Sequence, residues 1–146
     1  KVANFTSSSE KFKIGKGLKL KDGNDVTIVA TGHLVWEAIK ASEKLTENGI
    51  NAEIINIHTI KPLDEEIILK SVSKTGCLVS AEEHNIYGGL GESISRLLVT
   101  NLPSPQEFVG TKDTFGESGP PSDLMNKYGL NSSSIYNSAV NALKRK

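Results

Sequence analysis

Short β-branched apolar runs alternate along the chain with longer segments whose apolar residues recur at helical spacing. The runs at residues 25–31, 51–57 and 76–81 are typical of buried strands, and residues 106–110 form a shorter one. Helical segments separate these runs, and the first of them opens at Gly32 and closes at Asn48 and Gly49. Strands that alternate with helices of this length predict a parallel sheet covered on both faces.

The two ends of the chain complete this pattern. Residues 12–20 alternate weakly and are rich in Lys, which is typical of an edge strand that avoids pairing with another sheet. A short helix starting at Pro120 and Pro121 and a last helix capped by Asn131 follow the final strand. The pattern therefore predicts an α/β fold with a mixed five-stranded sheet, mostly parallel, whose first strand is antiparallel at the edge. The residues expected in its core are Ile28, Val29, Ile55, Ile57, Leu78 and Val79.

Composition excludes several classes of protein. Seventeen basic and seventeen acidic residues balance, which argues against a nucleic-acid partner. No run approaches the roughly 20 apolar residues of a spanning helix, so no membrane partner is expected. The single Cys77 excludes a disulfide framework and any multi-thiolate metal site, and its apolar surroundings predict a buried structural thiol. A lone thiol fits a reducing compartment, and we expect a cytoplasmic protein.

The start of the chain indicates a piece of a longer polypeptide, because the only methionine is Met125 and position 1 is Lys. Residues 1–11 are polar and rich in Ser, so we expect a linker from an upstream domain. Residues 12–146 are then one domain. Near its end, the breakers in residues 113–121 predict an ordered loop with Phe115 as its apolar anchor.

Three histidines follow predicted strands, and the carboxyl ends of parallel strands are where such sheets bind ligands. These are His33, His58 and His84. The spacing does not determine whether they converge, and no metal site is predicted from them. Thr31, Gly32 and His33 also form a candidate anion site, because backbone N–H groups are free at a helix start.

A second candidate is the segment that follows the third strand. Glu82, Glu83 and His84 fit either an acid/base cluster or a strand exit with solvated carboxylates, and the second is favoured. The glycines after them nearly match a dinucleotide-binding loop, but Ile94 stands where the third glycine belongs. Those glycines would equally allow close packing against the sheet or a partner. The candidate interface loop consists of Glu82, Glu83, His84, Gly88, Gly89 and Gly91.

Several segments together resemble one family. They are KIGKG at 13–17, DVTIVATG at 25–32, TIKPLD at 59–64, AEEHNIYGGLGE at 81–92 and DTFGESGPPSDLMNKYGL at 113–130. In this order they resemble the C-terminal domain of transketolases, from about Phe12 onward. The IKPLD segment recurs more widely, in deoxyxylulose-phosphate synthases and in the β subunits of 2-oxoacid dehydrogenases.

The resemblance implies an α/β/α sandwich within a dimeric parent enzyme of the pentose phosphate pathway. That enzyme transfers a two-carbon ketol unit between sugar phosphates, using thiamine diphosphate and Mg²⁺ or Ca²⁺ held by upstream domains or by a separate subunit. No catalytic, cofactor-binding or metal-binding residue is therefore assigned to this chain, which would serve stability and homodimer assembly and be inactive alone. The candidate interface loop is expected near a subunit or interdomain contact, so that a bulky residue at Gly89 weakens assembly more than folding.

Two other functions remain open at this point. The helix starts at Thr31–His33 and Gly89–Gly91 also fit a regulatory module that binds an anion or a nucleotide. The chain also fits the equivalent domain of a deoxyxylulose-phosphate synthase or of a 2-oxoacid dehydrogenase β subunit.

Overall fold

The computed structural model describes residues 11–146, which form five strands and five helices. The strands in chain order are β1 (Leu18–Lys21), β2 (Val26–Ala30), β3 (Ala52–Asn56), β4 (Leu78–Asn85) and β5 (Gln106–Thr111). The helices are α1 (Leu34–Glu47), α2 (Glu65–Thr75), α3 (Leu90–Asn101), α4 (Pro121–Lys127) and α5 (Ser132–Lys144). The expected linker at residues 1–11 lies outside the described residues except for Lys11.

All five strands belong to one sheet, in the order β1-β3-β2-β4-β5. β1 pairs antiparallel with β3, and every other pair is parallel, so the predicted fold class is confirmed. The first strand is shorter than residues 12–20, because the chain turns at Gly15, whose φ is +78°. The N–H of Lys16 donates to the carbonyl of Lys13 within that turn.

Each face of the sheet carries its own hydrophobic core. On one face α1 and α5 pack over Ile28 and Val79, and on the other α2 and α3 pack over Val29, Ile55 and Leu78. All six predicted core residues, Ile57 included, are at most 1% exposed. The prediction of a sheet covered on both faces is therefore confirmed at the level of individual side chains.

Two further features fix the ends of the molecule. The carboxylate of Asp64 accepts hydrogen bonds from the N–H of Ile67 in α2 and from the N–H of Gly17, which ties the entry of β1 to the start of α2. At the opposite, amino edge of the sheet the side chain of Lys146 lies against Gly76, just before β4.

Among the described residues no helix is both long and apolar enough to cross a membrane.

Cys77 is fully buried beside this amino edge. Burial raises the pKa of its thiol above the ordinary value, which keeps the reactive thiolate scarce at neutral pH. The interpretation of Cys77 as a structural thiol is confirmed.

A polar layer joins α2 to β2 and β3 near the amino edge of the sheet. The hydroxyl of Thr27 shares hydrogen bonds of 2.6 Å with Ser71 and 2.7 Å with Thr75. Next to it, the buried carboxylate of Glu53 accepts a hydrogen bond from Lys74. Burial by itself would raise the pKa of Glu53, but the hydrogen bonds and charge of Lys74, with a hydrogen bond from Ser71, outweigh it and hold the pKa below its ordinary value of 4.5.

We expect Ile55→Ala to reduce the free energy of unfolding by about 2–5 kcal/mol, because it removes buried apolar volume and leaves a cavity. Chemical denaturation followed by circular dichroism measures this loss. Val99→Ala is the control, since Val99 is 68% exposed and its truncation should change stability by no more than about 0.5 kcal/mol. A loss well under about 1 kcal/mol for Ile55→Ala would contradict the packing described for β3.

Glu53→Gln should destabilise the protein by about 1–2 kcal/mol at pH 7, since a charge-assisted hydrogen bond is lost. The folded-state pKa of Glu53 is depressed, so its contribution is present above pH 4.5 and is lost as the pH falls through the folded-state pKa. Denaturation curves of both proteins should therefore converge as the solution is acidified. Glu66→Gln is the control, because Glu66 is exposed and its pairing with Lys16 at 3.6 Å contributes little. A difference that persists undiminished at low pH would show that packing, and not charge, is responsible.

Candidate functional site

The two candidate segments of the sequence lie on opposite walls of one crevice. Thr31, Gly32 and His33 leave the carboxyl end of β2, and they face residues from Glu82 to Gly89 at the carboxyl end of β4. Ile60 closes the crevice from a third side. Its volume is about 330 Å³, at the small end of the range of ligand cavities.

The position of this crevice follows from the topology of the sheet. β2 lies between β3 and β4, and the chain moves from β2 to β3 on one side before it returns to β4 on the other. The connections that follow β2 and β4 therefore diverge beyond the carboxyl ends of these strands and leave an opening between them. Open α/β sheets bind their ligands at such switch points, and in nucleotide-binding folds the phosphate rests on the N-terminus of a helix there.

In this protein the corresponding helix terminus holds one of the chain's own carboxylates. Glu82 is 2% exposed, and its two carboxylate oxygens accept hydrogen bonds from the N–H groups of Leu90 at 2.7 Å and Gly91 at 2.8 Å. These are the first two residues of α3, where backbone N–H groups have no partner within the helix and the helix dipole is positive. The carboxylate of Glu82, from the same domain, therefore occupies the anion-binding position at α3.

The glycines of the loop are explained by this arrangement. A Cβ atom on Gly89 would lie 2.1 Å from a carboxylate oxygen of Glu82, and one on Gly91 would lie 2.6 Å from the ring of Phe108. Both glycines therefore pack closely inside the domain, and a bulky residue at either position would displace its neighbours. That a bulky residue at Gly89 weakens assembly more than folding stays a prediction. Gly88 differs, because its φ is +77° and nothing would meet a Cβ there.

The alternation of β4 turns Glu82 toward α3, on the same face of the sheet as Leu78 and Ser80, and a bulge follows in the pairing with β5. Ala81 pairs with Val109 and Asn85 pairs with Thr111, so three residues of β4 stand opposite Gly110 alone. β4 thus continues four residues beyond the predicted end at Ala81. The interpretation of Glu82 as a solvated carboxylate at a strand exit is wrong, because Glu82 still lies within β4 on the face that α3 covers.

Glu83 and His84 remain at the surface. The side chain of His84 is 59% exposed, and its Nδ1 lies 2.8 Å from the carbonyl oxygen of Asn85 and 3.9 Å from the carboxylate of Glu82. Nδ1 is therefore the protonated nitrogen that donates to Asn85 when the ring is neutral. Only the Nε2 atom of His84 is then free to contact another molecule.

The start of α1 is a poor match for an anion. The N–H groups of Val35 and Trp36 already donate to the carbonyls of Gly32 and His33, at 3.3 and 3.2 Å. An anion in the crevice would also face the carboxylates of Glu82 and Glu83, which line it. The geometry thus gives no support to the candidate anion site at Thr31, Gly32 and His33.

The three histidines do not form one cluster. His33 and His84 line the same crevice, whereas His58 lies toward β1, with its ring centroid 4.7 Å from that of Phe12. Within residues 11–146 no three His, Cys, Asp or Glu side chains come together as metal ligands. These residues therefore do not provide a fit for a metal-bound diphosphate.

Comparison with known proteins identifies a family model that matches residues 15–135, described as "Transketolase, C-terminal domain". The chain is 44% identical to a 6-deoxy-6-sulfo-D-fructose transketolase subunit of Clostridium sp. (strain MSTE9), over 99% of this chain and 45% of that protein. It is 45% identical to a putative transketolase C-terminal section of Methanocaldococcus jannaschii, over 92% of this chain and 42% of that protein. A 1-deoxy-D-xylulose-5-phosphate synthase of Desulforudis audaxviator is 36% identical over 91% of this chain.

Solved structures agree with this result. A split-gene transketolase described as an inactive β4 tetramer superposes with a TM-score of 0.96 and 39% identity, over 99% of this chain and 48% of that one. A transketolase from Leishmania mexicana shares 20% identity and a TM-score of 0.68, which shows a similar fold. The chain spans less than half the length of these relatives.

We expect Glu82→Gln to destabilise the domain by about 2–3 kcal/mol, because a charged acceptor of two backbone N–H groups becomes a neutral one with a single acceptor oxygen. Gly89→Ala should also destabilise it, since the added methyl group forces the carboxylate off α3. The double variant should lose less than the sum of the two, because both changes break the same contact. Denaturant unfolding measures all three values, with exposed Glu83→Gln as the control. Strictly additive losses would contradict a shared contact.

Proposed function

Because the chain belongs to the family of transketolase C-terminal domains, we propose that it is the C-terminal part of a thiamine-diphosphate-dependent transketolase. The observation that carries this proposal is the match of the family model to residues 15–135, supported by the superposition on a split-gene transketolase over 99% of the chain. The parent protein would transfer a two-carbon ketol unit between sugar phosphates. The pentose phosphate pathway and the cytoplasm are the proposed setting.

The role proposed for this chain is structural. The α3 terminus that could hold a phosphate is filled by Glu82, and the described residues offer no cluster of metal ligands. Thiamine diphosphate and its Mg²⁺ or Ca²⁺ would therefore be held elsewhere in the parent. This domain would contribute stability and assembly, with its candidate interface loop near a contact with another domain or subunit.

The proposed partners are the thiamine-binding domains, either upstream in the same polypeptide or in a separate subunit, together with a second copy of the parent. Relatives named as transketolase subunits support an enzyme assembled from more than one chain. The relative described as a tetramer is also described as inactive, which supports the view that such a part does not work alone.

A deoxyxylulose-phosphate synthase is the second candidate for the parent. Several such synthases are 36% to 39% identical to this chain, over 84% to 94% of its length. The chain is more similar, at 44% and 45% identity, to the two proteins named as transketolase parts, which favours the transketolase.

The 146-residue chain should neither bind thiamine diphosphate nor transfer ketol units by itself, because residues 11–146 offer no cluster of metal ligands for its diphosphate. A coupled assay with xylulose 5-phosphate and ribose 5-phosphate tests this, with circular dichroism to verify that the chain is folded. Addition of the thiamine-binding half should give turnover. Formation of 1-deoxy-D-xylulose 5-phosphate by the completed enzyme would instead support the synthase. Metal-dependent turnover by the 146 residues alone would refute the proposal and direct attention to His33, His58 and His84.

A further inference from the structure

The two outer strands of the sheet differ in how they are protected from pairing with another chain. β1 has four residues, two of which are lysines, and its pairing with β3 is irregular between Lys19 and Lys21. Short, charged and irregular strands discourage pairing with another sheet. β5 has six residues and contains neither Lys nor Pro, and within residues 11–146 it pairs with β4 alone. Its own residues therefore do not protect β5 as those of β1 do.

Alternate residues of β5 turn their backbone groups away from β4. The carbonyl of Pro105 accepts the N–H of Leu78, and the ladder of a parallel pair engages every second residue of the strand. The odd-numbered residues of β5 therefore bond to β4, whereas Gln106, Phe108 and Gly110 direct their N–H and C=O groups outward. We call these three residues the outer row of β5.

The guanidinium of Arg145 closes one end of the outer row. Its Nη1 donates to the carbonyl oxygen of Gln106 at 3.0 Å and pairs with the carboxylate of Glu107. One cation thus occupies an outward carbonyl of β5 and is held there by an acid of the same strand.

Apolar side chains lie beside the outer row. Phe108 is 37% exposed, and Val99 on α3, which is 68% exposed, lines a hollow of about 270 Å³ together with Gln106 and Arg145. Phe115 is more exposed, at 99%, and does not anchor its loop as expected, but it lies beyond the strand. Exposed apolar side chains next to outward backbone groups are typical of a strand that can pair with another chain.

We propose that the outer row of β5 is a pairing surface for β5 of a second copy of this chain, and that Arg145 keeps it closed. Antiparallel pairing with Phe108 opposite its counterpart places Gln106 of each copy opposite Gly110 of the other, so every outward group finds a partner. The two phenyl rings then lie side by side, and Glu107 lies opposite Val109, so no like charges are directly opposed. A strand that is complementary to itself in this way makes a closed two-fold contact, which favours a second copy over an unrelated peptide.

The same register explains why one side chain in each copy is sufficient to prevent pairing. Gln106 stands at both ends of the paired segment, once from each copy, and Arg145 occupies its carbonyl each time. Only the hydrogen bonds between the two Phe108 residues then remain, and so short a pair of strands is not stable in water. Release of Arg145 restores the backbone partners at both ends.

Sedimentation of the 146-residue chain over a range of concentrations tests the role of Arg145. Arg145→Ala should lower the dissociation constant for self-association by about tenfold or more, the order expected when backbone hydrogen bonds are regained at two ends. Arg96→Ala is the matched control, because Arg96 is the only other arginine of the sequence and is exposed on α3. Circular dichroism verifies that both variants are folded.

Charged substitutions at Phe108 test the register. In the Arg145→Ala background, chains with Phe108→Lys should not associate with themselves, because two like charges are then directly opposed, and the same holds for Phe108→Glu. An equimolar mixture of the two variants should associate, because the opposed charges then differ in sign.

Self-association of Arg145→Ala that is no tighter than that of Arg96→Ala would overturn the proposal. So would self-association that Phe108→Lys leaves intact, because the contact would then lie elsewhere on the domain. A mixture of the two Phe108 variants that stays monomeric would refute the two-fold register. An unsubstituted chain that already associates through Phe108 would show that Arg145 does not close the strand.

Discussion

The hydrogen bonds between the carboxylate of Glu82 and the N-terminus of α3 are the interaction on which the carboxyl edge of the domain depends. A buried charge is costly, and here two backbone N–H groups and the positive end of a helix compensate it. The arrangement requires Gly89 to lack a side chain and brings Gly91 against Phe108 of β5. One acid thereby sets where α3 begins, how closely it approaches the sheet and what its first turn can bind.

The same device recurs at two other helix starts. Glu37 is buried in α1, pairs with Lys40 and accepts a hydrogen bond of 2.8 Å from the N–H of Ser132, where α5 begins. Asp64 caps α2 and also accepts a hydrogen bond from the N–H of Gly17. Glu53, the remaining buried acid among the described residues, pairs with Lys74. Buried acids in this domain thus join one element to another, which is a structural use of groups that elsewhere perform catalysis. The proposed non-catalytic role is consistent with that pattern.

The alternation of apolar runs with helical segments was sufficient to predict the parallel sheet and its core, because hydrophobic periodicity is a local property of the sequence. The edge strand was predicted from the Lys-rich composition of residues 12–20. The location of the candidate site could be predicted, but the arrangement of its side chains could not. Its two walls follow from strand ends, but the burial of Glu82 depends on the continuation of β4 to Asn85, which the apolar run that ends at Ala81 does not indicate. The separation of His58 from the other histidines, and the exposure of Phe115, likewise depend on how distant loops pack. The close sequence spacing of Glu82 and Gly89 was the one available signal, since an acid before a glycine-rich helix start can cap it.

The contact between Lys146 and Gly76 places the last residue of the sequence at the amino edge of the sheet, whereas Lys11 lies at the carboxyl edge. The two ends of the described chain are therefore separated by the full length of the strands. A fluorophore, affinity tag or surface anchor joined after Lys146 would leave the carboxyl edge unobstructed. The same attachment before Lys11 would stand beside Phe12 and compete with whatever approaches that edge, so the choice of terminus determines what a binding measurement on this protein reports.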